Sequence, residues 1–162
     1  MTIESVRLSW TEGCNIIVGQ SHFIKTVEDL SEIMAGSLPG SKWGLAFCEA
    51  SSPKLIRTEG TDESLVEDAV ACAQAVGAGH SFYLVLGAGS FPINVLDRIK
   101  ACPEVACIFA ATGNPLEIVV ARSDQGAGIM GVIDGSSPAG VEGEAEKAAR
   151  KALLRKFGYK FG

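Results

Sequence analysis

Residues 81–86, Ser-Phe-Tyr-Leu-Val-Leu, constrain the fold more than any other run in the chain. From Phe82 to Leu86 every side chain is apolar or aromatic. A strand of this kind is hydrophobic on both faces and belongs at the centre of a sheet. A helix precedes it. Leu65, Ala69, Cys72, Ala73 and Val76 recur at i, i+4, i+7, i+8 and i+11, which is one helical face, and Gly77 and Gly79 stop the pattern.

The remaining segments extend this pattern. Thr2 to Ser9 and Asn15 to Gly19 read as strands turned by Thr11-Glu12-Gly13. Thr26 opens a helix, its hydroxyl placed to cap, with Glu28 and Asp29 in the first turn and Leu30, Ile33 and Met34 as the inward stripe. Leu38-Pro39-Gly40 ends it. Lys42 to Glu49 and Leu55 to Thr58 are the next strands. Pro92 starts a short helix that packs Val95, Leu96 and Ile99 inward. Val105 to Ala110, Leu116 to Ala121 and Gly128 to Ile133 are three further strands, the first two joined by the turn Thr112-Gly113-Asn114-Pro115. The last helix runs from about Glu144 to Phe157, with Ala145, Ala148, Ala149, Ala152 and Leu153 on one stripe. Some strands form hairpins and others are separated by helices. The expectation is an α/β domain of the mixed α+β type: one domain over residues 1–162, with a mixed sheet and about four helices.

Composition narrows the function. A net charge of −5 argues against a nucleic-acid polymer as partner. Mean hydropathy is +0.24, yet no run reaches the length of a membrane span, so neither membrane insertion nor a fully solvated surface is expected. The excess apolar surface points to self-association. Five scattered cysteines, Cys14, Cys48, Cys72, Cys102 and Cys107, contain no CxxC pair, and most of them read as small buried residues. The N-terminus MTIESVRLSW has no basic segment followed by an apolar one, so the cytoplasm is the expected compartment.

His80 is the first candidate for chemistry. It lies in Gly77-Ala78-Gly79-His80-Ser81-Phe82, at the mouth of the central strand. Histidine changes charge near neutral pH and is a nucleophile toward phosphorus. Alternation puts it on the face of Phe82 and Leu84. The competing reading is a structural histidine after a helix stop. Gly87-Ala88-Gly89-Ser90 could offer backbone N–H groups to a phosphate, or be a plain turn. Gly126-Ala127-Gly128-Ile129-Met130-Gly131 matches GxGxxG in form, but a strand follows where a dinucleotide fold needs a helix. Gly126 and Gly128 remain candidates for a glycine-lined ligand contact. Asp134, at that strand's end, could hold a sugar hydroxyl or magnesium, or simply make the turn. Lys25 could neutralise phosphate and His22 lies beside it, while Phe23, Trp43, Phe47 and Phe82 could stack on a base. There is no GxxxxGK[ST], no protein-kinase HRD or DFG, no HExxH and no GxSxG.

Seven runs, taken together and in order, resemble the adenosine-specific kinase family: VGQSHFIKTVEDL (18–30), WGLAFCEAS (43–51), GAGHSF (77–82), FPINVLDRIK (91–100), EVACIFAATGNPLEIVVA (104–121), GVIDGSSPAGVE (131–142) and LLRKFGYK (153–160). The resemblance spans nearly the whole chain. It implies a homo-oligomer, a trimer or hexamer, with a site for adenosine or AMP. It also implies a histidine able to carry a phosphoryl group, matched here by His80 and, less directly, by His22. In the kinase reading His80 passes a phosphoryl group to adenosine, with Lys25 screening charge, Ser81 beside the histidine, and Asn114 or Asp134 holding ribose or magnesium. The donor is not specified, ATP being one option. The rival reading is an AMP or adenosine sensor in which phospho-His80 is regulatory. A scaffold with purely structural glycine loops ranks last.

Overall fold

A computed structural model describes residues 1–162. The element order is β1 (Thr2–Arg7), β2 (Asn15–Ser21), α1 (Thr26–Ser37), β3 (Trp43–Cys48), β4 (Ile56–Gly60), α2 (Glu63–Val76), β5 (Ser81–Leu86), a 3-10 turn (Pro92–Asn94), α3 (Leu96–Lys100), β6 (Val105–Thr112), β7 (Leu116–Arg122), β8 (Ala127–Asp134) and α4 (Glu144–Lys156). The α+β class and the four helices are those the sequence implies.

The strands form two sheets, ordered β4-β3-β5-β2-β6 and β1-β7-β8. As expected from its two apolar faces, β5 is the central strand of the larger sheet. One detail differs from the expected mixed sheet: every strand pair is antiparallel. The reason lies in the crossovers. α1 joins β2 to β3, α2 joins β4 to β5, and the α3 segment joins β5 to β6. In each case one antiparallel strand is inserted between the two that the helix connects. Helix-linked strands therefore run parallel without being neighbours.

The larger sheet is packed on both faces. On one side Ile17, Leu45, Phe47, Phe82, Leu84 and Leu86 meet Leu30 and Met34 of α1 and Ile99 of α3. On the other, Ile16, Val18, Ala46, Tyr83 and Val85 meet α2 and the inner face of β7, Leu116, Ile118 and Val120. The five residues of the α2 stripe are its five buried residues. Gly77 closes α2 at φ 67°, a left-handed position natural to glycine.

Two expectations need correction. Thr26 does not cap α1. Lys25 occupies that position, and the buried Thr26 hydroxyl hydrogen-bonds with Ser21 Oγ and the Phe23 carbonyl instead. α4 forms, with acidic residues at its start and basic ones at its end, but none of its residues is buried. No helix is long and apolar enough to cross a membrane.

Candidate functional site

The antiparallel pairing gathers five chain segments at one end of the larger sheet. The C-terminal ends of β2 and β3 meet the N-terminal ends of β4, β5 and β6 there, in register as Gln20↔Ser81, Ser21↔Val105, Phe47↔Phe82 and Cys48↔Ile56. The loop Gly77–His80 enters β5 at this end, and His22–Lys25 leaves β2 toward α1.

His80 ties this end together through its backbone. Its N–H donates to the Cys48 carbonyl at 2.7 Å, and its carbonyl accepts from the Ser21 N–H at 3.0 Å. Its φ is +62°, one of only two non-glycine positive φ values in the chain. Histidine tolerates this region better than most residues, but it still carries strain. The half-buried imidazole stacks on Phe47, with ring centroids 6.0 Å apart and planes 20° from parallel. Phe47 belongs to the core on the α1 side, so the ring lies there too.

The neighbouring groups fall on the same end. His22 stacks on Phe23 at 6.3 Å, and Phe23 is 51% exposed, an aromatic pair open to solvent. The His22 N–H donates to the Glu104 carbonyl at 3.0 Å. Lys25, mostly exposed, pairs with Asp29 one turn on. This bond raises the lysine pKa and lowers that of the aspartate. Ser81 is buried and its hydroxyl donates inward to the Ala78 carbonyl at 2.6 Å, so it braces the loop.

On the other side of the Gly77–His80 loop lies an open cleft of about 840 Å³, walled by Gly77, Ala78, Gly79, Arg122, Gly126 and Gly128 among others. Its volume is in the range of small-molecule sites. The β-bridge Ala78↔Ala127 joins the two glycine segments. Arg122 secures the wall, donating to the Val76 and Ala75 carbonyls at the end of α2 and pairing with Glu4. His80 and Phe47 are not part of this lining.

Asn114 and Asp134 are elsewhere. They lie at the opposite end of the sheet, roughly 20 Å away by the length of β2. The Asp134 carboxylate accepts from Thr112 Oγ1 at 2.7 Å and Asn114 Nδ2 at 3.2 Å, which is a complete turn network. The sequence-predicted residues thus divide three ways: His80, Ser81, His22 and Lys25 together, Gly126 and Gly128 behind the same loop, and Asn114 with Asp134 remote. Sequence reasoning missed Asp29, Cys102 and Glu104, which surround Lys25 and His22. Asp29 read as helix-dipole chemistry and Cys102 as one of the scattered cysteines, so neither stood out.

A histidine held at positive φ at the end of an antiparallel sheet, in an α+β domain without a P-loop, sets the chain apart from the common nucleotide-binding folds. Residues 6–160 match the family model described as adenosine specific kinase, and the chain belongs to that family. It is also similar to a solved structure, the crystal structure of the PH1918 protein from Pyrococcus horikoshii OT3. The two share 38% identity over 99% of each chain, with a TM-score of 0.93. No curated protein matches the chain.

Proposed function

We propose that the His80 end of the larger sheet binds adenosine or AMP and that His80 relays a phosphoryl group to adenosine. The observation that supports this most is the backbone of His80, held at positive φ by bonds to both flanking strands. Strain at a residue whose side chain can carry phosphorus is a reason to look there for function. In the first step an imidazole nitrogen lone pair attacks the donor's terminal phosphorus. The bond to the leaving oxygen breaks, and its electron pair departs with the leaving group. In the second step the adenosine 5′-hydroxyl oxygen attacks phosphorus. The N–P bond returns its pair to the ring, and the hydroxyl proton passes to water. Lys25, cationic and mostly exposed, screens the phosphoryl oxygens. The exposed His22–Phe23 pair offers a stacking face for adenine. Magnesium would come in with a nucleotide donor. Asp134 is too remote to hold it at His80 within one chain, and Gly126 and Gly128 have no part in this reading.

The experiment is AMP formation from adenosine, ATP and magnesium, measured by chromatography, with His80→Asn in parallel. Asn also tolerates positive φ, so the backbone is kept while the nucleophile goes. Loss of at least about 1000-fold in the variant is expected. Equal AMP from both proteins would rule out the relay. The absence of a P-loop favours a second reading, an AMP or adenosine sensor. No turnover with any donor, together with an AMP-dependent rise in Tm, would establish it.

The family resemblance also suggests a homo-oligomer, and α4 supports a second copy of this chain as its occupant. Residues 143–162 hold six basic and two acidic side chains, whereas residues 1–142 hold eight basic and seventeen acidic. Leu153, Phe157, Tyr159 and Phe161 are exposed along the same arm. A basic, apolar-studded arm fits the acidic body of a neighbouring copy.

A further inference from the structure

The segment between α3 and β6 carries Cys102 and Glu104 against the first turn of α1, beside Asp29. One donor atom from each of the three lies within 4.8 Å of the others, and Cys102 Sγ is 3.9 Å from Asp29 Oδ2. Acidic clusters alone are common. The independent observation here is Glu104: it is 3% exposed, and its Oε1 is buried with no hydrogen-bond partner. A buried carboxylate oxygen left without a hydrogen-bond partner beside a second carboxylate and a thiol is unfavourable unless something positive fills the space. The Lys25 charge acts on Glu104 and Cys102 as well, but its ammonium hydrogen-bonds to Asp29 and leaves Glu104 Oε1 without a hydrogen-bond partner.

We infer that Asp29, Cys102 and Glu104 form a binding site for a divalent cation of the zinc class. Zinc–sulfur and zinc–oxygen bonds at a tetrahedral angle set sulfur and oxygen about 3.5 Å apart, so the Cys102–Asp29 pair at 3.9 Å needs to close by only a few tenths of an ångström. A thiolate with two carboxylates selects a borderline cation such as zinc or cobalt over magnesium, which prefers six oxygens. Two of the three donors, Asp29 and Cys102, border an open cleft of about 480 Å³ together with Glu32 and Arg98, which gives a path from solvent. On binding, the Cys102 thiol releases its proton to the buffer as the sulfur–metal bond forms. Lys25 and the cation then compete for the Asp29 carboxylate.

The inference does not depend on the chemistry at His80, and its test contains no nucleoside. Metal-stripped full-length protein is titrated with cobalt(II) and followed by absorbance. The expected result is a thiolate-to-cobalt charge-transfer band that saturates at one cobalt per chain. Zinc removes the band and magnesium does not. Cys102→Ser abolishes it, while Cys107→Ser, at the exposed cysteine, leaves it intact. Glu104→Gln, nearly isosteric, weakens cobalt binding and decides the matter should Cys102→Ser not fold. No band in the wild-type protein, a band retained in Cys102→Ser, or unchanged affinity in Glu104→Gln would overturn the site.

Discussion

His80 sits where an ordinary side chain would not. At φ +62° a β-branched residue meets its own backbone, while Asn and His are among the few that tolerate the region. His80→Val is therefore expected to be less stable than His80→Asn by about 1–2 kcal/mol in thermal or denaturant unfolding. Equal stability of the two would mean that the loop relaxes away from this conformation. Gly128 sits in open space on the cleft side of the same loop. Gly128→Leu partly fills the cleft, and because the His80 ring and Lys25 lie on the α1 side, AMP binding measured by calorimetry should be unchanged. Loss of binding would move the nucleoside into the cleft.

At the scale of elements, α2 shows how a helix is both started and pressed home. Asp62 caps it: the carboxylate accepts from Ser64 Oγ at 2.6 Å and the Leu65 N–H at 3.3 Å, and pairs with Lys42 at 3.0 Å. The Ser64 and Lys42 bonds lower its pKa to about 2. A lowered pKa stabilises the fold above the ordinary carboxylate value, and the contribution disappears as pH falls through about 2. Asp62→Ala should lower Tm by about 2–4 °C at neutral pH, with the difference from wild type shrinking once both are acidified below the cap's titration. A pH-independent difference would assign the effect to packing instead. Further along, α2 rests directly on β3. A Cβ built at Gly44 would stand 2.2 Å from the backbone of Leu65 and Val66. Neither backbone can yield without moving the helix, so Gly44→Ala should cost roughly 3 kcal/mol or more in chemical unfolding. Gly131→Ala, whose Cβ meets nothing within 4 Å, is the matched control and should be close to neutral.

For the whole molecule the decisive feature is a helical arm none of whose residues is buried. Every residue of the α4 stripe is exposed in the single chain, although the stripe has the spacing of a buried one. If a second copy covers it, deletion of residues 143–162 will leave a folded monomer, and light scattering on the full chain will show an oligomer that loosens as salt is raised. A monomeric full-length chain in dilute buffer would remove the arm from any such role.

Local pattern was enough to locate the elements. Periodicity and glycine stops revealed the α2 stripe, the central position of β5 and the ends of most strands, because side-chain spacing and turn chemistry act over a few residues. The GAGHSF run marked His80 for the same reason. What local pattern could not carry was which strands become neighbours. Each helical crossover skips one strand, and that choice makes the larger sheet antiparallel. It also gathers His80, His22 and Lys25 at one end, sends Asn114 and Asp134 to the other, and brings Asp29, Cys102 and Glu104 into one cluster. Those distances depend on packing between segments as far apart as Asp29 and Glu104, and no local propensity encodes them. The sequence by itself determined the elements and the family; only the tertiary structure, through long-range strand pairing, decided which of their side chains meet.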